Sequence, residues 1–421
     1  MADSIYEGFV VAFATALVLH AAAISFNAKG ESLLLRLSLI SYLIFWSIIP
    51  GLSAVMLNIA TEIYISDSFI HLYLLESVAI YGMVVYFFKF QKARLETPAL
   101  EIDSRAFLIL ASVFVIDLIL MRKVSYLDAN DLDLATATPD AGIVLFVTSL
   151  IGSYLTYCAL ITKDKVILYS SVIIIAYSVS VTLGMGGRMG LTWLLFVYAY
   201  RALKNAGRLK AINVLIITSI AAGALLLASA TSQTRGDAYG VTIDKQIGVS
   251  GADLLLNLYQ KLNSYETGMQ LIEGYGPGSA GMRPYYGSVL FFIPRSIYPD
   301  KPIPGSITDD NFGLPSRLVP RLNNPNDSIN NVGVSHLAVS IWHWGWILGP
   351  IAFVLSGLIS LWLLRIVFTS ESVGLRVVGI NLVPIPGFLY VFPSPDILIK
   401  HSVTVGCVYL LIKIVTLYQK Q

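Results

Sequence analysis

The sequence predicts an all-α polytopic membrane protein with about 11 transmembrane helices, or about 12 if an apolar piece of its longest connection re-enters the bilayer. Three observations carry this. Of 421 residues, 56% are hydrophobic and only 13% are charged, against roughly 25% charged in a soluble domain, and the mean hydropathy is +0.72. Apolar runs of roughly 20 residues recur, long enough to cross a hydrocarbon layer of about 30 Å. Such continuous runs suit helices, which bond their own backbone groups, and not the alternating strands of a barrel. Finally, Lys and Arg fall in alternate connections.

The predicted spans run in order. The first, 6–27, follows a start (Met1-Ala-Asp-Ser-Ile-Tyr-Glu7) without a basic region or a small-residue cleavage site, so it reads as a retained helix. The second, 33–60, contains Pro50-Gly51 and is expected to kink. Next come 69–90, 105–121, 141–162, 166–184, 189–204 and 211–230. After a long polar interval follow 337–364, then 374–392, which Pro384 and Pro386 are expected to break, and 398–418. Heptads, low-complexity tracts and matching inverted halves are not evident, and a transporter built from inverted repeats would show the last.

Short inner loops are enriched in Lys and Arg. Lys29 and Arg36; Lys89, Lys92, Arg94 and Arg105; Lys163 and Lys165; Arg201, Lys204, Arg208 and Lys210; Arg365 and Arg376; and Lys413 and Lys420 mark every second connection. The intervening ones hold Thr61 to Ser68 and the acidic stretch Asp128 to Asp140. The N-terminus is thereby placed outside, the C-terminus inside, and the long interval outside. Three regions follow: a membrane domain at 1–230, a large outer segment at 231–336, and a membrane domain at 337–421.

A formal charge of +2 gives no sign of a nucleic-acid partner. Cys158 and Cys407 lie in apolar runs and read as small hydrophobes. Asp128-Ala-Asn-Asp-Leu-Asp133 lacks the glycine and terminal glutamate of a calcium loop, and a solvated acidic loop is the simpler account. No metal site is expected. Asn326-Asp-Ser328 matches a glycosylation sequon, a pattern common by chance.

A connection as long as 231–335 is usually functional. It holds an amphipathic stretch (Asp253 to Ile272), a turn (Gly274-Tyr-Gly-Pro-Gly278), and an apolar run, Tyr285 to Ile293, too short to span. Arg188, Arg235, Arg283, Arg295, Arg317 and Arg321 all face this side, where basic residues should be scarce. Guanidinium forks bind diphosphate oxygens bidentately and keep their charge, so these arginines suit an anionic lipid headgroup, although any single one can simply snorkel or pair with a carboxylate. Arg188, flanked by glycines in Gly186-Gly-Arg-Met-Gly190, is the sharpest candidate. Glu76 and Asp117 are intramembrane carboxylates that either mark function or pair with Arg188 or a helix end. His20 reads as a core histidine. His336 and His343 open the ninth span on one helix face, about 10 Å apart along the axis. His336 is placed at the water interface, as a general base or as a helix cap among Trp342, Trp344 and Trp346.

Three stretches together resemble the O-antigen polymerase (Wzy-type) family, which is related to the O-antigen ligases. Gly186-Gly-Arg-Met-Gly-Leu191 resembles the family's small-Arg-x-Gly turn, and Ile293-Pro-Arg-Ser-Ile-Tyr-Pro-Asp-Lys-Pro302 resembles its outer-loop signature. Val334 to Gly349 resembles the helix start that ends in Gly-x-x-x-Gly, here Gly345 and Gly349. The match departs after His336, where ligases favour a polar residue and this chain has Leu337.

The resemblance implies a glycosyltransferase-C-like membrane fold with one large periplasmic loop domain in a bacterial inner membrane. It implies polymerisation of undecaprenyl-diphosphate-linked oligosaccharide repeats for lipopolysaccharide biosynthesis, without cofactor or metal. A polysaccharide chain-length regulator is an implied partner. Carried over by position, Arg188 grips the donor diphosphate, Arg295 stabilises its charge, and His336 is the catalytic base. Arg235, Arg283, Lys301, Arg317, Arg321 and His343 complete the expected substrate site. The competing readings are an O-antigen ligase and, in a different class, a lipid-linked oligosaccharide flippase or transporter.

Overall fold

A chain this apolar must bond its backbone groups within each segment, and among the described residues every regular element is a helix. The computed structural model describes residues 2–28, 30–48, 51–52, 67–90, 102–127, 151–184, 189–206, 264–279 and 335–382. The helices are α1 (Ala2–Asn27), α2 (Leu33–Leu43), α3 (Asp67–Val85), α4 (Ser104–Leu127), α5 (Ile151–Ile161), α6 (Lys165–Gly184), α7 (Met189–Ala206), α8 (Ser264–Tyr275), α9 (His336–Thr369) and α10 (Val373–Leu382). Among the described residues three segments are long and apolar enough to cross a membrane: Gly8–Asn27, Phe69–Phe90 and His336–Thr369. The expected spans at 211–230 and 398–418 lie outside the described residues.

α1 packs along α3, while α9 touches α2, α3, α8 and α10. Val11, Ala14, Val18 and Ala21 form the buried stripe of α1 at helical spacing. The opposite faces are apolar too. Along α9, Ile347, Ile351, Leu355, Ile359 and Leu363 recur every fourth position and are exposed, and α4 exposes Leu108, Ile109, Val113 and Ile116. Water-facing helices carry polar residues there, so this exterior is compatible with a helical membrane protein.

Several cations of the connections expected inside close helix ends. Arg36 Nη1 donates to the Phe26 carbonyl at 2.8 Å. Arg201 Nη1 donates to the carbonyls of Ala159 and Thr162 at 2.7 and 3.2 Å, and Arg376 Nε donates to Ser370 at 2.7 Å. Each satisfies carbonyls that the end of a helix leaves without an intrahelical partner.

The structure departs from the sequence reading or adds to it at four points. First, 337–364 is not one straight span. Gly345 has φ 79° and ψ 177°, a backbone region open only to glycine, and it breaks α9 into a short arm, 336–344, and a long arm, 346–369. The chain turns so sharply that a methyl on Gly349 would lie 2.6 Å from the Ile341 Cα. The short arm, about 13 Å long, is too short to cross a bilayer; the long arm, about 36 Å, is long enough.

Second, α2 passes into a wider π-helical turn at Ile44–Ile48. Pro50 has no N–H for the Trp46 carbonyl in α-helical register, and a widened turn is one way to absorb that conflict. Third, α4 continues to Leu127, so Arg122 and Lys123 stand on a helix at the end assigned to the outside, a basic pair that interrupts the charge alternation. Fourth, His20 is exposed and not in the core, with its Nδ1 3.3 Å from the Tyr81 hydroxyl.

Candidate functional site

The short arm of α9 begins where three other helices meet. Ser335 is its N-cap, accepting from the Ala338 N–H at 3.3 Å, the usual way a hydroxyl satisfies a first-turn donor. His336 follows and is 1% exposed. Its ring lies at an interplanar angle of 21° to that of Tyr42 on α2, with centroids 5.7 Å apart, and Nδ1 is 2.7 Å from the Tyr42 hydroxyl.

Glu76, on α3 and 2% exposed, faces the same helix start. Its Oε2 accepts from the Ser335 hydroxyl and from the Leu337 N–H at 3.4 Å. Its Oε1 accepts from the Tyr265 hydroxyl at 3.4 Å. All three contacts are donors, and the carboxylate stands at the positive end of a helix, where an anion is favoured. Of the two partners open to Glu76 in sequence, the structure places it on a helix end; Arg188 lies outside the described residues.

Tyr265 belongs to α8, the described part of the amphipathic stretch expected at Asp253 to Ile272. Burial holds its phenol well above the ordinary pKa, and the Glu76 charge pushes the same way, so Tyr265 keeps its proton and donates. The hydrogen bonds continue inward. Ser47 Oγ is 3.3 Å from the Tyr265 hydroxyl, Tyr73 donates to the Ser47 carbonyl at 3.0 Å, and Thr15 Oγ1 lies 3.0 Å from the Tyr73 hydroxyl. Buried polar groups normally find such partners, and here they join α1, α2, α3, α8 and α9.

Two glycines let these pieces approach. A methyl on Gly268 of α8 would lie 2.5 Å from the Ala338 Cβ. At the other end of the short arm, Gly278 (φ 77°) donates its N–H to the Ile341 carbonyl at 3.0 Å. A continuous helix would fill that place with the N–H of Gly345. The turn Gly274–Gly278 thus docks on the elbow.

His343, the second histidine of the short arm, is buried with its ring edge-on to Trp342 at 5.2 Å. The structure therefore unites His336 with Glu76, Ser335, Tyr42 and Tyr265, in the interior and not at a water boundary. Arg188, Arg235, Arg283, Arg295, Lys301, Arg317 and Arg321 lie outside the described residues, and nothing of their placement enters the site as described. Asp117 sits on α4, where only its backbone is described. Among the described residues no group of three or more His, Cys, Asp or Glu side chains gathers to hold a metal ion.

Tyr42 and Tyr265 were not anticipated as site residues. Ser335 carries the ordinary signal of a helix start, a small hydroxyl residue before an apolar run. Chemically, the cluster offers an imidazole and a carboxylate held by donors, both on fixed elements. No protein-family profile, curated protein or solved structure matches the chain.

Proposed function

We propose that the chain is a metal-independent glycosyltransferase that polymerises undecaprenyl-diphosphate-linked oligosaccharide repeats at the periplasmic face of a bacterial inner membrane. The observation that carries the reading is the built form of the third family-like motif. In Val334 to Gly349, Gly345 makes the break and Gly349 sits flush on Ile341, leaving His336 at the start of a short arm beside a buried carboxylate. The arginines of the other two motifs support it through their chemistry. When the anomeric C–O bond to the diphosphate breaks, the leaving group takes the electron pair, and fixed cations such as Arg188 and Arg295 stabilise that developing charge. The acceptor hydroxyl forms the new glycosidic bond and gives its proton to His336. Arg235, Arg283, Lys301, Arg317 and Arg321 hold the rest of the anionic headgroup in this reading.

The test is the glycan ladder of cells carrying Arg188→Ala, Arg295→Ala or His336→Ala. Single-repeat products support polymerisation, unlinked long chains point to a ligase, and normal ladders from all three remove these residues from the site. The buried short arm also favours a second reading, a transporter of the same lipid-linked oligosaccharide, because transporters place half-helix N-termini at anionic substrates. Purified protein given the lipid donor in detergent separates the two, since only an enzyme lengthens the glycan without a membrane to cross.

A further inference from the structure

His336 is held from two directions by residues that no sequence motif connects to it. The Glu76 carboxylate accepts from the Ser335 hydroxyl and from the Leu337 N–H, so one side chain holds the residues immediately before and after His336. Tyr42 fixes the ring through the 2.7 Å contact to Nδ1 and the near-parallel face 5.7 Å away. Tyr42, Glu76 and His336 are all buried, on α2, α3 and α9, and α9 packs on both of the others. A helix cap alone needs only Ser335, whose hydroxyl already serves the Ala338 N–H. The contacts of Glu76 and Tyr42 go beyond that need, the first on the residues flanking His336 and the second on its ring.

We propose that Tyr42 and Glu76 are the positioning residues of His336, the phenol selecting which ring nitrogen carries the proton and the carboxylate fixing the helix start that carries the ring. This rests on His336 being the proton acceptor of the glycosyl transfer proposed above. An imidazole has two tautomers, and a hydrogen bond at one nitrogen decides which is populated. In the productive tautomer Nδ1–H donates to the Tyr42 oxygen, which leaves Nε2 bare to take the acceptor's proton, in one orientation. A base so held reacts from a single geometry, whereas a loosened ring spends most of its time misplaced.

The experiment uses the full-length protein in nanodiscs, with two readouts. One is the ring nitrogen resonances of His336 by 15N NMR, assigned by their loss in His336→Gln. The other is kcat and KM for chain extension from a lipid-diphosphate oligosaccharide. Wild type should show one dominant tautomer of His336, and Tyr42→Phe a mixture, with kcat lowered about tenfold and KM within about twofold. Glu76→Gln keeps the shape but not the charge and should lower kcat in the same sense, with Glu76→Asp recovering part of the loss. Melting curves show whether each variant is folded, and Tyr42→Phe, which removes one oxygen, decides the matter if the Glu76 variants unfold. A folded Tyr42→Phe with wild-type kcat and an unaltered His336 spectrum overturns the proposal. Absence of chain extension by wild type instead overturns the polymerase reading, and the NMR arm still reports whether Tyr42 sets the tautomer.

Discussion

Arg365, in the last turns of α9, and Glu31, in the α1–α2 connection, form a buried ion pair with hydrogen bonds of 2.6 and 3.2 Å. The guanidinium also lies over the Phe87 ring, 3.9 Å from its centroid. Burial pushes the Glu31 carboxyl above its ordinary range despite the pull of Arg365, so desolvation outweighs attraction. Arg365→Leu alone, which strands a buried carboxylate, should therefore cost about 3–5 kcal/mol. The pair Glu31→Leu with Arg365→Leu should recover most of that loss. Thermal unfolding of the single and double variants in detergent measures it, and simple addition of the two single losses would contradict the argument.

Gly345→Ala and Gly349→Ala should fail for different reasons. At Gly345 there is open space for a methyl, and the cost is backbone strain alone, about 1–3 kcal/mol. At Gly349 the methyl meets Ile341 backbone atoms at 2.6 and 2.8 Å, so the elbow must open and the loss should be larger. Melting temperatures rank the two, and the reverse order would mean that the arms can separate at little cost.

Gly268→Leu should lift α8 from the short arm, because even its Cβ would lie 2.5 Å from that of Ala338 and 3.2 Å from Leu72 Cδ2. The Tyr265 bond to Glu76 goes with it. The expected result is loss of long glycan chains at an expression level near wild type, read from ladders and immunoblots of the same cells. Unchanged ladders would separate α8 from the site.

Tyr73→Phe removes a buried hydroxyl that contacts Thr15 and the Ser47 carbonyl, each at 3.0 Å. A loss of about 1–2 kcal/mol is expected, with Tyr42 and His336 in register. Thermal unfolding gives the first, and chain extension at wild-type rate by the surviving folded protein gives the second.

Hydropathy and punctuation located the described helices. α6 begins at Lys165 and ends at Gly184, against an expected 166–184, because a charge and a glycine bound that apolar run. The elbow at Gly345 escaped notice, since Trp344-Gly-Trp346 does not interrupt the hydropathy and a lone glycine is common in such helices. The meeting of Tyr42 with His336 spans 294 positions of sequence, and no local spacing rule reaches that far. The partner of Glu76 was open between Arg188 and a helix end because charge alone does not distinguish them; the answer required the position of Ser335.

The short arm is fastened at both ends: Ser335 caps its first turn, and Gly278 donates to the Ile341 carbonyl near its last, two points about 9 Å apart along the helix. It is therefore a braced strut and not a free helix end.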